Sequence, residues 1–584
     1  MVNDTIPHRL LRLAAERPST VAYHHKVGGR WQPTTYRTFA EQVRTAARAL
    51  IALGFPRGGK VALLGFNRPE WVILDHAAMM AGGAPAGIYT TCSPDEVQYI
   101  VHHSESHVVL VEDAAQLAKV QSRRDQLPRL HRIVMMRGAS GTGSDVLTWE
   151  DFLALAEGVP ESALDERLDA IRLADVATLI YTSGTTGPPK GVMLSHDNLA
   201  WTARTLIDVG GARDGDVSLS YLPLSHIAEQ MATIHMPATA GSTVYYAESL
   251  DRIPDNLKDA RPTVFFGVPR IWEKFHAAMA HRLGEVTGAK KALVTWAQKT
   301  CAAVHAHRDR GAAVPRLLQV QYRLARRLVI DKIKLALGFD RATNLISGAA
   351  PIAPDVLAFF ASLDLPIREI YGQSEDTGPT SFNLDGKTRL GTVGPPLPGL
   401  EVKIADDGEI LVRGRNVFLG YYKEPEATAE ALRDGWLCSG DLGAFDRDGF
   451  LTITGRKKEI IITAGGKNIA PKNIEAALKE SPLVGEAVVI GDRRKYLTVL
   501  ITIEPAAGEK LGGADAIRTA VQAQIDQVNQ TLARVEQVKR FAILPRPFGI
   551  DTGELTPTMK IKRKVIAQMY AHEIDAMYAL DGGE

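Results

Sequence analysis

The chain has 584 residues, of which 45% are hydrophobic and 23% are charged, and its formal net charge at pH 7 is +1. This length is too great for one hydrophobic core, and the composition is that of a globular protein rather than a disordered or fibrous one. The near-zero net charge excludes any whole-protein argument for nucleic acid, so we expect several folded units and no nucleic-acid partner.

The N-terminal segment "MVNDTIPHRLLRLAAERPS" has an early acidic residue and no long apolar region, so it predicts no signal peptide. The stretch "HAAMMAGGAPAGIYTTC" is too short to span a bilayer and is interrupted by glycine and proline. Cys92, Cys301 and Cys438 lie far apart and match no zinc or redox spacing, which is typical of reduced thiols. The sequence therefore predicts a cytoplasmic protein, soluble or at most peripherally attached to a membrane, and allows a monomer or a homodimer.

From about residue 36 to 450, short runs rich in β-branched residues alternate with longer runs at helical spacing. "KVALLGF" is followed by "RPEWVILDHAAMMAGG", and "HVVLVED" is followed by "AAQLAKVQSRR". This alternation predicts an α/β fold in which helices are layered on mostly parallel sheets.

Residues 285 to 340 differ, because they are predicted to be nearly unbroken helix. Their basic section, "QYRLARRLVIDKIKLALG", alternates arginines with leucine and isoleucine. We interpret it as a solvated helix face packed on the core, with an interfacial face that meets anionic lipid as the alternative.

After residue 400 the pattern changes to short strands such as "GEILVRG", "GFLTITG" and "EIIIT". A polar junction, "GRKKE", precedes a smaller unit that begins with a helix and two strands and ends in a basic helical tail. We place the domain boundary at Arg456 to Lys458. This predicts a large N-terminal domain over residues 1–456, which includes a β-rich subdomain, and a small α+β C-terminal domain over residues 457–584.

The stretch "YTSGTTGPPKG" (Tyr181–Gly191) has the parts of a phosphate-binding loop but not the spacing of a Walker loop. Gly184 and Gly187 would let the backbone approach a phosphate closely. Hydroxyl and ammonium donors come from Thr182, Ser183, Thr185, Thr186 and Lys190. By itself, this loop does not distinguish a phosphoryl-transfer enzyme from an adenylating one.

Four further segments carry concentrated signals. "SGAAPIAP" (Ser347–Pro354) is a small-residue loop that would admit a flat ring against its backbone, and "REIYGQSE" (Arg368–Glu375) ends a strand in a glycine turn beside a carboxylate. "GWLCSGD" places Asp441 in a tight turn, and "GRKKE" places Arg456 at the domain junction. "LTPTMKIKRK" presents Lys560 with an arginine three positions later. Each signal is weak alone, but together and in this order they are specific.

In order and spacing these motifs resemble the adenylate-forming enzymes, which include acyl-CoA synthetases, luciferases and nonribosomal peptide adenylation domains. "YTSGTTGPPKG" is similar to the phosphate loop of this family, and "YGQSE" to its Tyr-Gly-x-Thr-Glu motif with serine in place of threonine. "GRKKE" is similar to its hinge. "YLPLSHIAEQ", "VPRIWEKF" and "IITAGGKNIAP" look most like the long-chain fatty acyl-CoA synthetase branch.

The resemblance implies a two-step ligase that uses ATP, Mg²⁺ and coenzyme A, in which ATP and a fatty acid give acyl-AMP and pyrophosphate, and coenzyme A then gives acyl-CoA and AMP. The loop up to Lys190 would hold the β- and γ-phosphates, and Thr182 with Glu375 would hold Mg²⁺. Asp441 would accept both ribose hydroxyls, and Arg456 would contact ribose or phosphate. The adenine ring is implied to lie against seven residues: Gly348, Ala349, Ala350, Pro351, Glu369, Ile370 and Tyr371. The rest of the implied nucleotide site consists of Gly372, Gln373 and Ser374.

Lys560 is implied to drive adenylation, because the attacking carboxylate and the nucleotide are both anionic. Many relatives have glycine before this lysine, where the present chain has Met559. We choose Lys560 rather than Lys562 or Lys564 because its spacing to Arg563 fits the pattern.

The small C-terminal domain is implied to be mobile and to rotate about Lys458 after adenylation. That rotation would withdraw Lys560 and bring Gly465 and Gly466 to the thiol. His226 is implied to lie beside the acyl carboxylate; a core or helix-start histidine and a metal ligand are the alternatives from the residues alone. Three activities remain as alternatives: loading of a carrier protein, a coenzyme A ligase for an aryl or shorter-chain acid, and binding without catalysis.

Overall fold

The computed structural model describes residues 4–138, 143–182, 188–211, 213, 215–464, 467–550, 552–556 and 560–579. In chain order, strands β1 to β26 are Val21–Val27, Arg30–Thr35, Lys60–Leu64, Ala84–Ile88, Ser106–Val111, Arg132–Met135, Val146–Thr148, Val176–Thr182, Lys190–Ser195, Val217–Ser220, Thr243–Tyr246, Val264–Gly267, Asn344–Ser347, Ile367–Tyr371, Ser381–Phe382, Glu401–Ile404, Glu409–Arg413, Gly420–Tyr421, Leu432–Arg433, Trp436–Phe445, Leu451–Arg456, Ile461–Ile462, Asn468–Ile469, Val484–Ile490, Leu497–Ile503 and Val538–Ile543. Helices α1 to α22 are Ile6–Glu16, Tyr36–Ala52, Pro69–Met80, Pro94–His103, Ala114–Gln121, Trp149–Ala154, Glu161–Asp169, His196–Gly210, Ile227–Gln230, Met236–Ala240, Ile253–Ala260, Pro269–Gly284, Gly288–Asp309, Arg316–Ala325, Asp331–Leu337, Pro354–Ser362, Pro425–Ala431, Pro471–Leu478, Pro505–Leu511, Ala514–Asn529, Arg563–Met569 and Ala571–Ala579.

One eight-stranded sheet carries the predicted phosphate loop. Its order is β18-β9-β8-β4-β3-β5-β6-β7, and the strands from β8 to β7 run parallel. Strands β3 and β4 are buried along their whole length, as expected for a sheet covered by helices on both faces. Strand β9 turns back antiparallel to β8, so the loop between them is the tip of a hairpin at the carboxyl end of β8.

A second eight-stranded sheet carries the two predicted adenine segments. Its order is β15-β14-β13-β12-β10-β11-β1-β2, with parallel pairing from β14 to β1. Strands β13 and β14 are adjacent and parallel, with Ser347 opposite Glu369. The segments that follow these two strands therefore emerge side by side at one edge, where ligands of α/β sheets usually bind.

The β-rich subdomain expected after residue 400 is a five-stranded antiparallel sheet, β16-β17-β20-β19, with β21 paired to β20. Pairing of β20 with β21 sets Asp441 opposite Arg456. The predicted ribose ligand and the predicted junction residue are thus neighbours because of strand register.

The C-terminal part contains a three-stranded sheet, β24-β25-β26, covered by α18, α20, α21 and α22. Its two hydrophobic cores contain only residues from Ile461 onward, separate from the three cores of the preceding chain. The predicted α/β class with a small C-terminal domain is confirmed. The boundary between residues 456 and 457, and the mobility of this part, remain predictions.

The helical section is less continuous than the sequence predicted. Helix α13 ends at Asp309, and α14 runs back along it from Arg316 after a proline-containing turn. A π-helical turn, Arg326–Ile330, joins α14 to α15. The section is therefore a helical hairpin, because Gly311 and Pro315 interrupt the helical pattern. Among the described residues, no helix combines the length and apolar composition needed to cross a bilayer.

Candidate active site

The two ends of the predicted phosphate loop are held by strand pairing. Thr182, the last residue of β8, lies opposite Lys190, the first residue of β9. Strand, loop and antiparallel strand form this site, whereas a Walker loop leads from a strand into a helix. The remaining residues predicted for the loop lie outside the described residues: Ser183, Gly184, Thr185, Thr186 and Gly187.

Tyr421 connects the phosphate hairpin to the predicted metal ligand. Its hydroxyl donates to Glu375 Oε1 at 2.7 Å, and Lys190 Nζ lies 5.0 Å from the centre of its ring. Lys190 Nζ is also 3.8 Å from Glu424 Oε2. The ammonium group of Lys190 and the carboxylate of Glu375 therefore face the same tyrosine. The sequence did not identify Tyr421, because the pairing of β18 with β9 brings it to the site across a long stretch of chain.

Asp441 joins the adenine segment to the domain junction. The Tyr371 hydroxyl donates to Asp441 Oδ2 at 2.9 Å, and Arg456 Nε lies 3.3 Å from Asp441 Oδ1. Burial raises the pKa of Tyr371 well above its usual value, and the charge of Asp441 adds to that rise. The phenol therefore stays a hydrogen-bond donor, and the carboxylate is fixed from both sides.

Two glycines in the adenine segments have no room for a side chain. A Cβ on Gly372 would lie 1.6 Å from the carbonyl oxygen of Gly378, and a Cβ on Gly348 would lie 2.7 Å from Ile370 Cγ2. Ala349 has a φ of 70°, an uncommon conformation for a residue other than glycine. Gly348 is buried, whereas Ala349, Ala350 and Pro351 are exposed at the edge of the sheet.

Three buried polar atoms in these segments have no hydrogen-bond partner within the described part of the chain. They are Ser347 Oγ, Glu369 Oε2 and Gln373 Nε2. Burial also raises the pKa of Glu369 to about 7. Buried polar atoms are rarely left unpaired in folded proteins. The segments therefore fit a bound group that carries both donors and acceptors, as the edge of a purine ring does.

Lys560 lies close to the carboxylates and to Arg456, although it belongs to the C-terminal part of the chain. Burial lowers its pKa, the positive charges of Arg456 and Lys472 lower it further, and Asp441 and Glu375 oppose this. Lys560 is exposed to solvent, and we refer to the space around its side chain as the cleft. Lys472, which the sequence did not single out, lines the same cleft.

The neighbouring lysines differ in position. Lys562 precedes the first turn of α21, and its charge acts on the Cys92 thiol. Lys564 is exposed on that helix. Arg563 donates to the carbonyl oxygen of Val489 at 3.2 Å and forms an ion pair with the buried Glu475. Arg563 thus fixes the segment that carries Lys560 to the C-terminal sheet.

His226 caps the start of α9 and faces the same cleft. Its Nδ1 accepts from the backbone N–H of Ala228 at 3.2 Å, so the proton of the neutral ring is on Nε2. Burial lowers the pKa of His226 to about 4, and the charge of Lys560 contributes to this shift. At neutral pH the ring is an uncharged donor through Nε2.

Glu229 stabilises the helix start behind His226. Its carboxylate accepts from Ser220 Oγ at 2.6 Å, Thr233 Oγ1 at 2.8 Å and Asn67 Nδ2 at 3.3 Å. Burial raises the pKa of Glu229 to about 7 against these hydrogen bonds. Among the described residues, no group of three or more His, Cys, Asp or Glu side chains is arranged to hold a metal ion.

The predicted hinge is anchored on its N-terminal side. Lys457 Nζ donates to Asp407 Oδ2 at 2.6 Å and to Glu409 Oε2 at 2.8 Å. Lys458 follows in the same 3₁₀ turn and is exposed. The predicted thiol-loop residues, Gly465 and Gly466, lie outside the described residues.

Comparison with known proteins gives consistent matches along the whole chain. Residues 10–422 match the AMP-binding enzyme family, and residues 458–581 match the AMP-binding enzyme C-terminal domain. The long-chain-fatty-acid–CoA ligase ACSBG2 of Xenopus laevis is 39% identical over 96% of this chain and 81% of its own length. The long-chain-fatty-acid–CoA ligase FadD15 of Mycobacterium tuberculosis is 37% identical over 99% of this chain and 97% of its own.

Solved structures share the fold. The A domain of the carboxylic acid reductase from Segniliparus rugosus, in complex with AMP and a co-purified carboxylic acid, superposes with a TM-score of 0.76 at 22% identity. That match covers 99% of this chain and 94% of the domain. ATP-bound MatB from Rhodopseudomonas palustris gives a TM-score of 0.71 at 24% identity over 97% of this chain and 99% of its own.

Proposed function

This chain belongs to the AMP-binding enzyme family, and we propose that it is an ATP-dependent long-chain-fatty-acid–CoA ligase. The relatives that match nearly its full length carry that activity in their names. The observation that carries the proposal is the position of Lys560, a C-terminal residue that is close enough to Glu375, Asp441 and Arg456 of the preceding part for their charges to act on it. The same cleft therefore contains cations for the two anionic substrates, ATP and the fatty acid, and a carboxylate for the ribose.

Three parts of the chain around this cleft bind ATP. The hairpin between Thr182 and Lys190 holds the β- and γ-phosphates, with the Lys190 ammonium as a fixed charge. Asp441 accepts hydrogen bonds from the two ribose hydroxyls, and its contacts with Tyr371 and Arg456 hold it in position. The adenine ring lies against the segments after β13 and β14, where the unpaired polar atoms would gain partners.

Mg²⁺ fits the side chains present. Glu375 has one carboxylate oxygen bonded to Tyr421, and Thr182 stands at the mouth of the hairpin. One carboxylate with one hydroxyl suits Mg²⁺, which usually keeps several waters and binds substrate phosphates. When bound there, the ion would neutralise charge on the departing phosphates.

In the first step a carboxylate oxygen of the fatty acid attacks the α-phosphorus of ATP. The bond from that phosphorus to the bridging oxygen breaks, and pyrophosphate leaves with the electron pair. No base is needed, because the acid is already ionised at neutral pH. Lys560 stabilises the negative charge that accumulates around the α-phosphorus, and His226 donates from Nε2 to the acyl group.

In the second step the sulfur of coenzyme A attacks the acyl carbonyl carbon, and AMP leaves. The thiol proton passes to solvent. Lys560 has to leave the cleft for the thiol to enter, so the C-terminal part rotates about Lys458. Lys457 remains anchored on Asp407 and Glu409 during this motion, and Gly465 and Gly466 reach the thiol channel.

The test measures pyrophosphate release from ATP over unbranched acids of two to twenty carbons, with and without coenzyme A. We expect release to be greatest with the long acids and turnover to require coenzyme A, with acyl-CoA as product. Release that is greatest with an aryl or short acid would contradict the long-chain assignment. Consumption of the adenylate by a carrier protein but not by coenzyme A would contradict the proposed acceptor.

A further inference from the structure

The helical hairpin exposes a row of apolar side chains to water. The row, which we call the outer face, consists of Leu317, Val320, Leu324, Leu328 and Leu335, which are between 41% and 72% exposed. Leu317, Val320 and Leu324 of α14 fall within an arc of about 60° on an ideal helix, and Leu328 in the π turn and Leu335 in α15 continue the exposed row. Single exposed leucines are ordinary on protein surfaces, but a continuous row indicates an interaction site.

The opposite side of the hairpin is fixed to the core by Asp364. This buried carboxylate accepts from Tyr322 Oη at 2.6 Å and pairs with His305 Nε2 at 3.0 Å and Lys334 Nζ at 3.3 Å. Burial alone would raise the pKa of Asp364, but these partners outweigh it and lower the pKa to about 2. Because α13, α14 and α15 all meet this one anion, the outer face cannot turn inward by rotation of its helices.

The outer face is bordered by cations. Residues Arg316 to Leu337 include six lysines and arginines and one aspartate. Asp331, the aspartate, pairs with Arg326. The exposed cations along the row form none of the ion pairs found among the described residues; they are Arg316, Arg323, Arg327 and Lys332.

We propose that the outer face docks this protein on anionic lipid bilayers. Leucines in one row flanked by unpaired arginines are the pattern of a helix that lies in the interface plane, with its apolar side among the acyl chains and its cations at the headgroups. A protein partner of ordinary composition would not require four unpaired cations around the leucines, whereas an anionic lipid surface neutralises them all.

Docking would bring the protein to its acyl substrate, and this part of the inference rests on the proposed function. A long-chain fatty acid partitions into bilayers because each buried methylene contributes about 0.8 kcal/mol. Docking itself does not depend on catalysis. It would therefore persist in a protein that failed the pyrophosphate test.

The experiment is flotation of the full chain with vesicles of phosphatidylcholine alone or of equal parts phosphatidylcholine and phosphatidylglycerol. We expect binding to the anionic vesicles that weakens as salt rises. The variant Arg323→Gln/Arg327→Gln should weaken binding about fivefold for each arginine removed. The variant Leu317→Gln/Leu324→Gln should weaken it at least about tenfold.

The matched control is Leu250→Gln/Leu390→Gln, which changes two leucines that are also exposed but lie outside the outer face. It should bind as the parent does, and all variants should keep the parent's melting temperature and its pyrophosphate release from a short, water-soluble acid. Equal binding by the parent and the Leu317→Gln/Leu324→Gln variant would overturn the proposal. A parent dimer that this variant dissociates, without vesicle binding by the parent, would also overturn it and assign the face to a second copy.

Discussion

Replacing Lys560 by alanine is the most direct perturbation of the proposed first step. An ammonium group about 4 Å from a developing charge contributes about 4 kcal/mol at an effective dielectric constant of about 20. The Lys560 side chain remains accessible to solvent, which reduces this value. At about 1.36 kcal/mol per tenfold change, Lys560→Ala should slow adenylation by about 10²- to 10³-fold.

The assay separates the two half-reactions. Pyrophosphate release from ATP and palmitate reports the first, and acyl-CoA formation from supplied palmitoyl-AMP and coenzyme A reports the second. Only the first should fall in Lys560→Ala, because Lys560 leaves the cleft before the second. Lys564→Ala, a change on the exposed side of α21, is the control and should leave both rates unchanged.

Two results would refute the reasoning. Equal loss of both half-reactions in Lys560→Ala would mean that the lysine supports the fold of the cleft rather than the adenylation step. A larger loss of pyrophosphate release in Lys562→Ala would mean that the register is wrong. The pH profile gives a further check. Because burial and Arg456 lower the pKa of Lys560, adenylation should decline on the alkaline side at a pH below the usual lysine value of about 10.4.

Three further predictions concern stability. Gly372→Ala forces a Cβ against the Gly378 carbonyl oxygen and should lower the free energy of unfolding, measured with denaturant, by about 3 kcal/mol or more. Gly158→Ala is the control and should lower it little, because open space surrounds Gly158. Equal losses in the two variants would contradict the predicted steric overlap. Asp364→Asn should cost about 3–5 kcal/mol at pH 7, because it leaves the buried Lys334 without its anion. The parent should lose about 2 kcal/mol of stability as the pH falls from about 4, the unfolded value, through its folded pKa of about 2, since one pKa unit corresponds to about 1.36 kcal/mol. The folded pKa of Glu229 is raised to about 7, so its ionisation destabilises the parent as the pH rises from about 4 to about 8. The free energy of unfolding of Glu229→Gln should therefore rise by about 3 kcal/mol relative to that of the parent over this range. A difference that does not depend on pH would be inconsistent with the raised pKa.

Local patterns were sufficient for the α/β class, and they led to the segments for which we predict nucleotide binding. "SGAAPIAP" and "YGQSE" begin at the last residues of β13 and β14, two adjacent parallel strands whose carboxyl ends meet at one edge, whereas "YTSGTTGPPKG" begins at the end of β8 in the other eight-stranded sheet. The glycine in "YGQSE" is visible in the sequence, but the reason for it is visible only in the structure, where a Cβ on Gly372 would overlap the carbonyl oxygen of Gly378.

Interactions across long stretches of chain were not visible in these patterns. Tyr421 reaches Glu375 because β18 pairs with β9, and Lys472 reaches the cleft because the C-terminal part packs there. The helical section was predicted as nearly unbroken, and the sequence did not show that Asp364 would fix one side of a hairpin and leave the other exposed.

The sequence by itself determined which chemistry we predict for the site, because phosphate, ribose and carboxylate recognition require particular side chains in a particular order. Only the tertiary structure decided which lysine faces the carboxylates, which tautomer His226 adopts and which side of the hairpin meets solvent. These depend on register, burial and contacts between residues far apart in the chain, and local periodicity contains no information about them. Lys560 shows both parts. Its residue type follows from the motif, whereas its lowered pKa depends on burial and on the charges of Arg456 and Lys472.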